Sequence, residues 1–328
     1  MSYQLITTEK PTSALKIATA LADSKVSKKA IHGISYYEIS HKGKDIVIAS
    51  AAGHLFTLGE KKKSSQYPVF DIHWVPSYLA SKKAKFTKKF YDVLMSLAKK
   101  ADSHVNACDV DIEGELIFKN ILEHIYHKKN ASRMYYSTLT KDELIESYKS
   151  MKPEIDHGLA EAGETRHMLD YFWGISTSRA LTNSIKIATT RYKLMSSGRV
   201  QGPALKLIID KEREIRAFQP VPYWEVELNA KSDKDNITAY HKEGKFWKKE
   251  EADLVINKTK KGKAIVESIE SKQFSQLPPH PFDLTTLQLE SYRALRISPK
   301  ETLEIAQALY LAGIISYVLY GRLIKSKT

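Results

Sequence analysis

A single cysteine, Cys108, stands in 328 residues, which excludes an internal disulfide and any zinc cluster of thiolates within this chain. Long apolar runs are missing as well: no stretch of about 18 apolar residues exists to span or anchor in a bilayer. The opening MSYQLITTEKPTSALKIATAL is interrupted by Thr, Glu and Lys and lacks a signal-peptide pattern, so the sequence reads as cytosolic. Arginine is scarce early; none precedes Arg133, and lysine carries most of the positive charge. Acid is outnumbered too, 38 carboxylates against 51 basic side chains, for a net charge of +13. That excess favours a polyanionic partner, nucleic acid before membrane.

Against this basic background, residues 109–115 read Asp-Val-Asp-Ile-Glu-Gly-Glu, four carboxylates around one glycine. Such crowding is unfavourable unless a hard divalent cation neutralises it, so Mg²⁺ and a phosphate-bearing substrate are the first expectation. A calcium loop of the EF-hand type also begins Asp-x-Asp-x-acid-Gly, but its twelfth position should be a bidentate Glu and is here Asn120. Ser103–Cys108 reads as a short strand, and Ile117, Ile121 and Ile125 after the heptad keep helical period. The acids therefore fall on a strand-to-helix turn, at the carboxyl edge of an α/β sheet, where such folds place their chemistry.

Tyr3–Thr7 is strand-like, and Pro11 suits the first turn of a helix, which puts Glu9 and Lys10 on a second strand-to-helix turn. ISYYEIS and DIVIASAAGHLF are β-rich, and a helix is expected near Phe86–Ala101. Alternating elements of this kind predict a βαβ-type domain over roughly residues 1–150. Residues 151–217 are helical in pattern, and 223–275 alternate like exposed antiparallel strands before a proline linker ending at Pro281. Ser298-Pro299-Lys300-Glu301 is a helix start with a capping box, Gly313 its stop, and IISYVLY after it reads as a strand carrying Tyr317.

These residues resemble the type IA DNA topoisomerases, in particular the archaeal and topoisomerase III-like branch. ITTEKP, GHLFTLGE, DVDIEGE, AEAGETRHMLDYFWGISTSRALT, SSGRVQGPALKLIIDKEREIRAF, PPHPFDLTTLQLES and TLEIAQALYLAGIISY each resemble family blocks, in the family's order. The fold implied is α/β plus α and β. It comprises a Toprim (Rossmann-like) α/β domain at 1–150, a helical single-strand-DNA groove domain at 151–217, the first half of a β-rich arch at 218–281, and the incomplete start of a tyrosine-bearing domain at 282–328. The resemblance implies an isomerase that cuts one DNA strand through a 5′-phosphotyrosine, passes a strand and reseals, relaxing negatively supercoiled DNA without ATP. Asp109, Asp111 and Glu113 match the acids that hold Mg²⁺. Glu9 matches the general acid and base at the leaving sugar oxygen, and its acidic neighbours should push its pKa up. Lys10 is expected to stabilise the pentavalent phosphate and Tyr317 to be the nucleophile. Arg166, Asp170, Arg199 and Gln201 match positions lining the single-strand groove, where Trp173 could stack a base or simply fill a core.

The chain departs from the family after Tyr317. Leu319 stands where an arginine orients the scissile phosphate, and Arg322, five residues beyond Tyr317 and about 16 Å from it on an extended strand, is no substitute. Ile112 replaces an arginine of the acidic loop. The tail GRLIKSKT matches nothing, and the family's catalytic core is about twice as long, so a frameshift, truncation or split gene is expected, with a partner chain as one source of the missing half. Strands at 223–275 would then show open edges, and the polypeptide alone is expected to aggregate or lose order beyond about residue 218. Two other functions fit parts of the pattern: a single-stranded-DNA-binding remnant without catalysis, and another Toprim phosphoryl-transfer enzyme of nuclease or primase type, which the helical blocks after 151 disfavour.

Overall fold

The computed structural model describes residues 2–62, 64–231 and 235–317. β1 (Tyr3–Thr8) leads through Glu9 and Lys10 into α1 (Pro11–Leu21), with Pro11 in its first turn as expected. A meander follows: β2 (Ser27–Ile31), β3 (Ile34–His41) and β4 (Lys44–Ser50). Its two turns are two-residue loops, His32-Gly33 between the paired Ile31 and Ile34, and Lys42-Gly43 between His41 and Lys44. All four loop residues have positive φ, from 48° to 80°, so each turn follows the twist of its strands, with glycine at the second position.

β5 (Phe56–Glu60) and β6 (Ile72–Pro76) form a separate antiparallel pair. After the short α2 (Ser77–Ala80) and a 3₁₀ turn comes α3 (Thr87–Ala98), then β7 (Ala101–Asn106), which inserts beside β1. The acidic turn opens α4 (Ile112–His124), and the two-residue β8 (Ser132–Arg133) and α5 (Lys141–Lys149) complete the domain. The sheet order is β2-β3-β4-β1-β7-β8, with β4, β1, β7 and β8 parallel.

Alternation along the strands divides the core between the two faces. Leu5 and Val47 point to the face covered by Val93 and Leu94 of α3 and Ile117, Phe118 and Ile121 of α4. Ile6, Ile46 and Ile48 point to the other, where Ile17 and Leu21 of α1 and Leu144 of α5 pack. Each such fully buried aliphatic side chain contributes roughly 1.5–3 kcal/mol. Helices on both faces of a parallel centre leave only the strand ends open, and β1 and β7 end side by side at the carboxyl edge.

α6 (His157–Thr189) starts at the cap Asp156, whose side chain accepts from the Leu159 amide at 3.0 Å. It crosses α4 closely at Gly163, where an added Cβ would lie 2.5 Å from the Ile112 carbonyl oxygen. α7 (Gln201–Ala217) follows and buries none of its side chains.

The described residues fall into two compact units, one made of those within 2–202 and 281–317, the other of those within 203–280. The second holds most of α7 together with the antiparallel pair β9 (Glu227–Lys231) and β10 (Asn236–Tyr240), and α8 (Lys249–Thr259). The strand pattern expected over 223–275 is therefore correct only in its first part. Residues 249–259 are helical, with Glu250 and Glu251 in the favourable first turn, and 263–283 have no regular structure.

The first unit resumes with α9 (Leu284–Leu295), capped by a reciprocal Asp283–Thr286 box, and α10 (Pro299–Ala312). Ser298 accepts from the Glu301 amide at 3.2 Å, the first half of the expected box, and Gly313 ends the helix at φ 82°. Ile314–Tyr317 are not a strand, contrary to expectation: the Tyr317 amide makes a 2.7 Å bond to the Ser137 carbonyl instead of joining a ladder. Val318, Leu319, Arg322 and the rest of the tail lie outside the described residues. Among the described residues no helix is long and apolar enough to cross a membrane.

Candidate active site

Parallel pairing of Thr7 with Asn106 brings Glu9 and Lys10, on the turn after β1, next to Asp109, on the turn after β7. The Ala107 amide extends the ladder by one bond, 2.8 Å to the Thr7 carbonyl, before the chain turns. Asp111 is the N-cap of α4, its Oδ1 accepting from the Gly114 amide at 2.7 Å. The glycine is dictated by closeness: a Cβ on Gly114 would lie 2.2 Å from the Asp109 carbonyl oxygen.

A fully buried arginine holds this turn from beneath. Arg133, on β8, donates to the carbonyls of Cys108 (2.7 Å), Asp109 (3.0 Å) and Met134 (3.0 Å). Its Nε lies 2.9 Å from Glu115 Oε2, a close ion pair in which the N–H is not aimed along the contact. Glu115 also accepts from the Asn106 side-chain amide at 3.0 Å and the Asp156 backbone amide at 2.7 Å. The fourth carboxylate of the heptad thus faces inward and builds the scaffold, because residues two apart on a helix point about 200° apart.

Asp109 and Asp111 are buried as well, but on the side of the turn that meets Lys10 and Tyr317. Lys10 Nζ contacts Asp109 Oδ2 at 2.5 Å and Glu9 at 3.5 Å. The carboxyl of Glu9 is pushed up to about 7, first by burial, then by the charge of Asp109, with Lys10 countering and Asp111 adding. The direction is the one expected, but burial contributes more to it than the neighbouring carboxylates do.

Tyr317 reaches the same cluster from the far end of the chain. Its hydroxyl donates to Asp111 Oδ2 at 2.5 Å, and Lys10 Nζ lies 5.9 Å from its ring centre. Tyr310 of α10 packs on that ring, with centroids 5.1 Å apart, and directs its own hydroxyl to Asp109 Oδ1 at 3.5 Å. Burial, then the charges of Asp111 and Asp109, hold the Tyr317 phenol far above its ordinary pKa, so it is neutral.

Glu113 turns elsewhere. Its Oε2 lies 3.0 Å from His54 Nε2 and 2.8 Å from His167 Nε2, and its Oε1 is 3.4 Å from Arg166. The hydrogen bonds from His167 and His54 hold its carboxyl well below the usual range. Arg166, Asp170 and Glu113 line one cavity of about 320 Å³. Arg199 pairs with Asp170 at 2.6 Å, and Gln201 is exposed at the start of α7. Trp173 is half exposed on α6.

The structure thus gathers Glu9, Lys10, Asp109, Asp111 and Tyr317 into one cluster and places Glu113, Arg166, Asp170 and Arg199 on an adjoining one. Sequence reasoning gave no role to Arg133, Tyr310, His54 or His167. The only local signal was the isolation of Arg133 as the first arginine after a long lysine-only stretch.

The sequence model described as "Toprim domain" matches residues 4–139, and the one described as "DNA topoisomerase" matches residues 154–318. A Toprim domain is a metal-binding fold. The chain is 43% identical to the DNA topoisomerase 1 of Pyrococcus horikoshii over 95% of its own length and 46% of that protein's. It is 48% identical to the DNA topoisomerase 1 of Methanocaldococcus jannaschii, over 95% of its own length and 40% of the relative's. Among solved structures, the full-length topoisomerase I of Thermotoga maritima is similar with a TM-score of 0.61 at 25% identity, over 96% of this chain and 48% of that one. The chain therefore spans less than half the length of the relatives it matches.

Proposed function

Because the chain belongs to the type IA DNA topoisomerase family, we propose that this site cleaves and rejoins single DNA strands with Mg²⁺ through a 5′-phosphotyrosine on Tyr317. Relaxation of negatively supercoiled DNA without ATP would follow, since the phosphodiester energy stays in the tyrosine ester. The observation that carries the reading is the meeting of the Tyr317 hydroxyl with Asp111, beside Glu9, Lys10 and Asp109.

The donor set suits a hard divalent ion: it offers carboxylate oxygens, and the three carboxyl groups of Glu9, Asp109 and Asp111 meet the single charge of Lys10. Asp109 and Asp111 would hold that ion, joined by Glu113 only once its carboxylate leaves His54 and His167. When bound, it supplies charge neutralisation at the phosphate.

The chain's own residues account for the proton movements. The phenol oxygen of Tyr317 forms the bond to phosphorus as the bond to the sugar 3′ oxygen breaks. Asp111 Oδ2, already the phenol's acceptor, is the nearest place for its proton. Glu9, near half-protonated at neutral pH, delivers a proton to the departing 3′ oxygen and takes it back on resealing. Lys10 offsets charge on the transferring phosphoryl group. The net charge of +13 and the cavity between Arg166 and Asp170 suit a single strand led towards the cluster, at nucleoid DNA in the cytoplasm.

The test is a trapping experiment with a labelled single-stranded oligonucleotide and Mg²⁺, quenched with detergent. A covalent adduct is expected, absent in Tyr317→Phe and absent with chelator. An adduct that persists in Tyr317→Phe, or DNA binding with no adduct at all, refutes the proposal.

A further inference from the structure

Beside the tyrosine cluster lies a grouping of different chemistry. His54 comes from the turn before β5, Glu113 from the first turn of α4 and His167 from α6, and one ligating atom of each lies within 4.8 Å of the others. Both imidazole Nε2 atoms address the same carboxylate oxygen, at 3.0 and 2.8 Å, and the ring centres are 4.9 Å apart. We propose that His54, Glu113 and His167 form a binding site for a borderline transition-metal ion of the Zn²⁺ or Co²⁺ kind, distinct from the hard-cation site of Asp109 and Asp111.

Ligand chemistry argues for this class of ion. Two neutral imidazoles and a carboxylate suit Zn²⁺, Co²⁺ or Cu²⁺, whereas Mg²⁺ takes oxygen and keeps its water. Tetrahedral ligands at ~2.0–2.1 Å from a metal lie roughly 3.3 Å from one another; the carboxylate oxygen is 3.0 and 2.8 Å from the two imidazole nitrogens and all three atoms lie within 4.8 Å, a spacing that side-chain adjustment can bring to an ion.

The three supports are firm. The His54 carbonyl accepts from the Ser77 hydroxyl at 3.2 Å, and α6 is seated on α4 through Gly163, four residues before His167. The His167 ring also lies 6.0 Å from Trp74, whose indole N–H donates to Glu164 at 3.1 Å. Each ligand side chain is about one-third exposed (29%, 32% and 31%), and the 320 Å³ cavity at Glu113 and His167 gives an entry path and room for waters in the open positions.

A consequence follows if the reading of the tyrosine cluster holds: an ion here keeps Glu113 turned away from Asp109 and Asp111, so a borderline metal would oppose the hard one. Binding itself does not depend on that reading.

The test uses the full chain, untagged and stripped with chelator, titrated with Co²⁺ followed by visible absorbance and with Zn²⁺ by equilibrium dialysis. One equivalent should bind saturably and resist millimolar Mg²⁺. His54→Gln and His167→Gln should each weaken binding at least ~10-fold, with His32→Gln, on the β2–β3 turn, unchanged. On the unaltered chain, electron spin-echo spectra of bound Cu²⁺ should show two imidazole nitrogens. No saturable binding, retention in the His54→Gln/His167→Gln double variant, displacement by millimolar Mg²⁺, or a Cu²⁺ spectrum without imidazole overturns the proposal.

Discussion

Replacing Glu115 by glutamine should destabilise the first unit by about 3 kcal/mol without touching any group that faces Tyr317. Both Glu115 and Arg133 are fully buried, 2.9 Å apart, so the substitution leaves a guanidinium charge with no counter-ion in the interior. Removing one member of a buried pair costs about 3–5 kcal/mol. The lower end applies because Arg133 keeps its carbonyl partners Cys108, Asp109 and Met134, and because glutamine can still accept from the Asp156 amide. Its new NH₂ group, however, would face the Asn106 amide that now donates to Glu115. At roughly 2–4 °C per kcal/mol for a unit of this size, the melting temperature should fall by about 6–12 °C. Urea unfolding followed by near-ultraviolet circular dichroism measures the loss directly. The double variant Glu115→Met/Arg133→Met should lose less than the sum of the two single variants, since neither charge is then stranded. A loss below about 1 kcal/mol in Glu115→Gln, or a double variant as unstable as the sum of the singles, would refute the assignment of this pair as the support of the turn.

Gly163→Ala should cost about 2–3 kcal/mol in the same assay, because its Cβ would meet the Ile112 carbonyl oxygen at 2.5 Å, backbone that cannot step aside cheaply; an unchanged midpoint would contradict that packing. His104, stacked on Tyr126 and with Nδ1 unpartnered, is held down to about 4, first by burial and then by Lys128. Because the folded value lies below the unfolded one, this contribution is full above about pH 6.5 and is lost as pH falls towards about 4, worth about 2 kcal/mol after allowing for solvent contact. The variant His104→Gln should flatten the stability profile across that window, and an unaltered slope would count against it. Trypsin should cut first after Lys263 or Lys272, in the segment without regular structure where Ile265, Ile269 and Phe274 are 85–88% exposed; initial cleavage within 3–60 would contradict this.

Local signals account for what the sequence revealed. Pro11, the strand-to-helix passage at Asp109 and the stop at Gly313 are each written within a few neighbouring residues. Helix α8 was missed because the segments on either side of it alternate like strands, although Ala252, Val255 and Ile256 keep helical spacing and Glu250 and Glu251 make an acidic first turn. The site was harder to read. Glu113 meets partners 59 and 54 residues away, and nothing near it in sequence announces that two histidines will claim one of its oxygens. Arg133 likewise acts through carbonyls, which carry no residue identity at all.

Tyr310 and Tyr317 touch the acidic turn through their hydroxyls, while their rings are sunk into the hydrophobic face that α1 and α5 share with the sheet. Any motion carrying Tyr317 away from Asp111 must therefore draw two aromatic rings out of a packed interior. At about 150 Å² of apolar surface each, that withdrawal costs roughly 7 kcal/mol before new contacts offset it. On the proposed reading of this site, parting the two ends of a cut strand means withdrawing these rings from that face, which biases a nicked strand towards being held in place.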